Sequence, residues 1–296
     1  MVFKEIKKYF IDVLDFLLFS NIFIAICAVA QGLVTYHLLK LEASYNVLGI
    51  LFLGTLVIYN FSMLITKPKE PSKSSYKRVR WIYSHYRLMV TITMVAILGL
   101  IPLGFFFISL YGLILISVTG ILAFAYALPL FMLNGKPIGL RNLPGVKLFL
   151  ISLIWSVSTV VFPIIEAEQQ HIINVPIHDL FLLAAKRFLF IAAITIPFDI
   201  RDFFQDKLFE LKTLPVLIGI KKSNWICFSF LLLYLILLLL FNNTWDLNIL
   251  ALTLTILTAA WLIFKSNFKR NEYYYFLFLD GIMILQFLLL KLTTAI

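Results

Sequence analysis

The sequence predicts an all-α integral membrane protein with nine transmembrane helices, arranged as two pseudo-repeated four-helix halves plus a ninth helix around a central cavity. The first observation behind this is composition. Of 296 residues, 62% are hydrophobic, 16% aromatic and only 14% charged, and the mean hydropathy is +0.99. Soluble domains are roughly 45–50% apolar and about 25% charged. One aqueous core cannot hide so much apolar surface, whereas lipid can face the excess. This excludes a soluble enzyme, a disulfide scaffold, a disordered chain and a collagen-like fibre. The second observation is that the apolar runs are long and unbroken. Barrel strands alternate polar and apolar over about ten residues, so an outer-membrane barrel is disfavoured. The third is charge placement. All but four of the 25 basic residues fall on one side of the resulting topology.

The nine runs are approximately 16–39, 45–65, 88–106, 108–131, 145–165, 180–199, 223–241, 247–264 and 273–293. Each must be helical, because lipid offers no partner to unpaired backbone groups. With the N-terminus in the cytoplasm, only Lys40, Lys186, Arg187 and Lys291 lie outside the cytoplasmic segments. The positive-inside rule therefore sets the N-terminus inside and the C-terminus outside, as in a bacterial inner membrane. Lys186 and Arg187 are expected to snorkel to the outer interface. Gln31 and His37 are expected to pair with neighbouring helices. Ala28-Val29-Ala30 before Gln31 has the look of a signal-peptide cleavage site. Asp12 and Asp15 before the run, and its continuation to Leu39, favour an uncleaved first helix. Residues 1–15 form an interfacial segment, with Phe3, Ile6, Phe10 and Leu14 at helical spacing.

A net charge of +10 is accounted for by topology and gives no reason to expect nucleic acid. Cys27 and Cys227 both sit within apolar runs and match neither a disulfide framework nor a metal-thiolate spacing. The whole chain reads as one membrane domain, acting as a monomer or weak homo-oligomer.

Two cytoplasmic segments, 66–87 and 199–222, follow the second and sixth helices and so occupy equivalent places in the two halves. The second begins Asp199-Ile200-Arg201-Asp202-Phe203-Phe204-Gln205-Asp206-Lys207. Three carboxylates at i, i+3 and i+7 share one face of a helix. Like charges packed there need a cation among them. One possibility is magnesium, which takes carboxylates plus substrate phosphates. The other is a solvated helix end neutralised by Arg201, Lys207 and Lys212.

Lys212-Thr213-Leu214-Pro215-Val216 followed by Ile218-Gly219 completes a stretch that resembles the UbiA family of intramembrane prenyltransferases. Asp202 and Asp206 match that family's second Asp-x-x-x-Asp pair, with Asp199 just before it. Tyr126-Ala127-Leu128-Pro129-Leu130 at the end of the fourth helix, and Lys147 and Trp155 in the fifth, agree with the resemblance. It implies a nine-helix fold and transfer of a polyprenyl group from its diphosphate to a hydrophobic, quinone-precursor-like aromatic acceptor. By the same resemblance, Asp199, Asp202 and Asp206 would hold Mg2+ on the diphosphate. Asn60 would position the first loop, and Tyr126, Arg141, Lys147, Arg201, Lys207 and Lys212 would contact the substrate.

The first motif departs from the family. Asn60 is present, but the two following Asp positions hold Leu64 and Pro68. Either lysines such as Lys67 and Lys69 contact phosphate directly, or the chain is a non-catalytic prenyl-lipid binder or scaffold that keeps the fold. Asp280, about seven residues into the ninth helix, is an intramembrane carboxyl that either holds an acceptor or is packed and protonated.

Overall fold

The computed structural model describes residues 2–128, 131–133, 136–138, 145–208, 211–240 and 246–294. Among the described residues, the regular structure is helical apart from a two-stranded antiparallel hairpin, β1 (Phe131–Leu133) with β2 (Lys136–Ile138), in which Met132 pairs with Pro137.

Helix α1 (Val2–Phe19) meets α2 (Ile22–Leu38) at a 62° bend. Next come α3 (Tyr45–Ile65), the short α4 (Lys77–Ser84), α5 (Tyr86–Phe107) and α6 (Leu110–Ala127). Helix α7 (Val146–Ser156) runs through a π-helical turn at Val157–Val161 into α8 (Phe162–Gln169), and together they make one 24-residue span. Helix α9 (Ile177–Arg201) is followed by two short helices, α10 (Phe203–Leu208) and α11 (Leu214–Ile218). Helices α12 (Ile220–Leu240) and α13 (Leu247–Lys265) come next. A π-helical turn at Tyr274–Leu279 then leads into α14 (Ile282–Thr293).

Among the described residues, seven helices are long and apolar enough to cross a membrane, or eight if the bent α1–α2 pair is one span. The nine expected spans differ from this at two places. Residues 16–39 are not one straight helix, because Asn21 takes the left-handed conformation (φ 67°) and breaks it. Asn is among the few residues that adopt that conformation at modest cost. The fourth run, 108–131, is apolar over Leu110–Tyr126 but is too short there to count among the spanning helices.

The spanning helices close into a ring. Helix α2 packs on α3, and α3 on α5 and α6. Helix α6 packs on α7, α7 on α9, α9 on α12, α12 on α13, α13 on α14, and α14 returns to α2. Large apolar side chains such as Leu98, Phe105, Ile121 and Leu232 point outward, which suits a lipid-facing surface. The main core lies between α2, α7, α9, α12, α13 and α14, around Trp155, Phe190, Ile194, Tyr275 and Met283.

Several of the polar groups singled out in the sequence pair inside the ring. Gln31 Nε2 donates to Gln286 Oε1 (3.1 Å) and to the Met283 carbonyl (3.0 Å). His37 Nε2 lies 3.1 Å from Asn248 Oδ1. Lys186 and Arg187 do not snorkel; both are buried. Arg187 donates to the Gln31 carbonyl (2.9 Å) and to Thr159 Oγ1 (2.6 Å). The hydrogen-bond acceptors inside the ring, two of them on α2 and the π turn, outcompete the distant interface.

Candidate active site

The two loops singled out by the sequence meet at one end of the ring. Tyr76, just before α4, donates its hydroxyl to Asp202 Oδ1 (2.8 Å), and Gln205 Nε2 donates to Ser75 Oγ (3.2 Å). Helix α4 is held in place through its N-terminus. The backbone N–H groups of Lys77 and Arg78 donate to the two carboxylate oxygens of Glu272 (2.6 and 2.8 Å). An anionic cap on the positive end of a helix dipole is favourable. Lys77 Nζ reaches back to Asp15 (2.6 Å), which also accepts from the Tyr273 hydroxyl. These contacts tie α1, α4 and the start of the last span together.

The same arrangement aims Arg78 inward. Its Nη2 donates to Asn21 Oδ1 (2.5 Å), and Asn21 Nδ2 donates to Asn60 Oδ1 (2.6 Å). The left-handed Asn21 thus bridges Asn60 to Arg78 instead of capping α2. The Arg78 guanidinium lies 4.6 Å from the Phe276 ring centroid. Across that ring is Arg201, whose guanidinium sits 5.1–5.5 Å from Phe276, Phe198, Tyr275 and Tyr76. Burial, and then the charge of Arg201, lower the Arg78 pKa to about 10, so the group is still a cation at neutral pH.

The three aspartates do not share a helix face. Helix α9 ends at Arg201 and Asp202 is its C-cap, so Asp206 falls on a separate short helix. Asp199 is buried and paired with Lys147. Asp202 takes a bidentate contact from Arg201 Nε (2.8 Å) and Nη2 (2.9 Å). Burial alone would raise the Asp202 carboxyl, but the Arg201 charge and its hydrogen bonds outweigh burial and hold it below its ordinary value. Burial pushes Asp206 up to about 6, and the nearby charges of Asp199 and Asp202 push the same way. Its buried Oδ2 has no hydrogen-bond partner.

A cavity of about 220 Å³ opens beside them; Asp202 lines it, but Asp199 and Asp206 do not. Arg78, Lys147, Arg201, Asp202 and Asp280 supply its charge, and Tyr59, Trp155, Phe198 and Phe276 its aromatic wall. Tyr59 and Trp155 also line a second, apolar cavity of about 410 Å³ between α3, α5, α6 and α7, with Leu51, Gly54, Leu100, Phe105 and Gly120 among its walls. A charged chamber therefore adjoins a greasy one across two aromatic rings.

Other residues singled out by the sequence lie elsewhere. Lys67 is exposed and sits about 6 Å from the rings of Tyr83 and Tyr86. Lys207 and Lys212 are exposed. None of these three lines the charged cavity. Arg141 lies outside the described residues, as do Pro129 and Leu130. Tyr126 is near enough to Lys147 and Tyr59 to interact electrostatically. Asn21, Tyr76 and Arg78 went unnoticed in the sequence. The only available signal was Arg78 itself, which is indistinguishable there from any other positive-inside charge.

No family model matches the chain, and no curated protein matches it in sequence. Solved structures do match. A UbiA homologue from Archaeoglobus fulgidus bound to GPP and Mg2+ superposes with a TM-score of 0.67 over 95% of this chain and 100% of that one, at 12% identity. The chain has the UbiA fold. An apo UbiA homologue from Aeropyrum pernix K1 gives a TM-score of 0.60, 10% identity and coverage of 94% and 96%. A digeranylgeranylglyceryl phosphate synthase gives 0.57, 15% identity and coverage of 96% and 99%. A multi-pass integral membrane protein follows from this fold and from the apolar helices.

The A. fulgidus homologue was also solved with DMAPP and Mg2+, so the residues here can be judged against such a group. They do not fit a pair of magnesium ions. The first loop offers Leu64 and Pro68 where carboxylates would be needed. In the second, Asp199 and Asp202 are already neutralised by Lys147 and Arg201. Among the described residues, no three Asp, Glu, His or Cys side chains converge, so any magnesium here would depend on one or two carboxylates and the substrate's own phosphates.

Proposed function

We propose that this chain is a UbiA-like prenyltransferase that moves a prenyl group from its diphosphate to a hydrophobic, aromatic acceptor in the membrane. The observation that carries this reading is the junction of the two cavities. A prenyl diphosphate is a polyanion joined to an apolar tail. Here a cavity with Arg78, Lys147 and Arg201 adjoins an apolar one across Tyr59 and Trp155. The head would lie among the cations and the tail between α3, α5, α6 and α7.

The residues present can perform the difficult part of such a transfer. Breaking the allylic C–O bond puts negative charge on the leaving diphosphate. Preorganised cations in a water-poor site stabilise that charge more than water would. The electron-deficient prenyl fragment would form beside Tyr59, Trp155 and Phe198, whose ring faces attract a cation and exclude water. The acceptor attacks the allylic carbon and loses a proton. Asp280 lines the same cavity on α14's side of the ring, which supports a role for it in orienting the acceptor or taking that proton. With the N-terminus in the cytoplasm, the charged cavity would face the compartment where soluble diphosphates are found.

The test is incubation of membranes carrying the protein with radiolabelled prenyl diphosphates and extracted lipid acceptors, followed by chromatography. A labelled, diphosphate-free lipid that appears only with the intact chain supports transfer. Bound but unchanged diphosphate would refute it.

A further inference from the structure

The charged cavity holds two cations whose binding capacity is not used up. Arg78 is not in a salt bridge with any described carboxylate. Its side chain rests on the Asn21 amide oxygen and the Phe276 ring, and its buried Nε has no hydrogen-bond partner. Arg201 spends Nε and Nη2 on Asp202, but its buried Nη1 also has no partner. Asn60 Nδ2, one step behind Arg78 through Asn21, is a third buried donor without a partner. Asp280 lines the cavity too, yet no hydrogen bond joins it to either guanidinium among the described residues.

Buried donors are nearly always satisfied, and each exception calls for an explanation. Asp202 and Asp280 offset part of the positive charge in this desolvated cavity, but the idle N–H groups of both guanidiniums remain donors for a further anion. The two groups are also immobilised. Glu272 fixes the start of α4, Asn21 holds the Arg78 guanidinium, and four aromatic rings box Arg201. Planar forks held this way suit the oxygens of a phosphoryl group. The loop that brings Arg78 in is the same loop that lacks carboxylates at 64 and 68.

We infer that Arg78 and Arg201 form a metal-independent diphosphate clamp, with Arg78 taking over the charge neutralisation that a metal on the first loop would otherwise supply. The inference rests on the proposed function for the identity of the ligand, and goes beyond it in how that ligand is held. Arg78 is thus a substrate-binding cation, and Asn21 is its positioning residue.

The experiment is titration calorimetry on the purified full chain in detergent, with geranyl diphosphate, in EDTA and in excess magnesium. Inorganic pyrophosphate serves as a tailless competitor. The clamp predicts equal affinity in both buffers and competition by pyrophosphate in EDTA. Arg78→Gln should bind about 10- to 100-fold more weakly in EDTA, the usual loss of a charge-assisted contact. Arg78→Lys, which restores the charge but not the planar fork, should recover only part of that loss. Binding that needs magnesium would overturn the clamp while leaving the proposed function standing. Binding in neither buffer would overturn both. If Arg78→Gln does not fold, the wild-type comparison of the two buffers, with pyrophosphate competition, still decides.

Discussion

The apolar chamber can be filled without disturbing its walls, and this gives the most direct test of where the tail lies. Gly54 on α3 and Gly120 on α6 both line the chamber, and a Cβ added at either meets nothing within 4 Å. Leucine at these positions would project into the 410 Å³ space instead of into packed neighbours. Both sites are helix interiors, where replacing glycine gains up to about 1 kcal/mol of helix propensity. A loss of binding in Gly54→Leu or Gly120→Leu would therefore not be a folding defect.

The magnitude follows from comparing two soluble ligands, dimethylallyl and geranyl diphosphate, which differ by one isoprene unit. Moving that unit's five carbons from water into the chamber is worth at most about 4 kcal/mol, at ~0.8 kcal/mol per carbon. Ordering the extra chain costs roughly 0.5–1.5 kcal/mol. A net of at most about 2.5–3.5 kcal/mol corresponds to a preference for geranyl of up to roughly 70- to 400-fold. Long polyprenyl chains would not show this, because they arrive from lipid, where the hydrophobic gain has already been made. Calorimetry on the wild type and both leucine variants should show the preference collapsing toward unity in the variants, with dimethylallyl affinity unchanged. An unaltered ratio in both variants would place the tail elsewhere and refute the two-chamber reading.

Three other expectations follow from the structure. Asp206 is a carboxyl raised from 3.8 to about 6. A group raised this way favours the fold while protonated, so its contribution is present below pH 3.8 and is lost as pH rises through 6. Asp206→Asn should melt with the wild type near pH 4 and above it at pH 7, and an offset independent of pH would refute the assignment. Lys147→Met strands the buried Asp199 carboxylate and should cost about 3–5 kcal/mol of stability, Asp199→Asn should cost less because Lys147 is only half-buried, and the double variant should be milder than Lys147→Met. Additive losses in thermal melts would show that the two groups are not coupled. For topology, a cysteine near Lys73 should label with a membrane-impermeant maleimide only from the cytoplasmic side, and one near Glu168 only from outside. The reverse pattern would invert the orientation.

Hydropathy made the bilayer-facing architecture legible because lipid selects residues one by one along each run. Expected spans 45–65 and 247–264 correspond to Tyr45–Ile65 and Leu247–Lys265. Their ends are set by Ser44 and Asp246, whose side chains cap the first turns. What escaped the sequence was every feature decided by contacts between distant segments. Spacing placed Asp199, Asp202 and Asp206 on one helix face, but the helix ends at Arg201 because Asp202 is drawn to Arg201 and to Tyr76, 126 residues away. Lys186 and Arg187 read as interfacial charges, yet Thr159 and the Gln31 carbonyl hold Arg187 inside. Arg78 read as one more positive-inside charge. Only the fold shows that it is the member of its loop that faces the cavity.

The bend at Asn21 links these observations. A straight helix through residues 16–39 would be the better membrane span, and breaking it with a left-handed residue sacrifices continuity between α1 and α2. Local rules are broken in this way mainly where the surrounding structure compensates and function gains. Here the break frees the Asn21 amide, which accepts from Arg78 on one side and donates to Asn60 on the other. Asn60 stands in the first loop with Leu64 and Pro68 at the two positions where the resemblance leads one to expect carboxylates. The amide bridge connects Asn60 to the Arg78 guanidinium through Asn21. Buried Asn60, left-handed Asn21 and Glu272 at the start of α4 therefore hold one cation together, in the same loop that lacks the acidic pair.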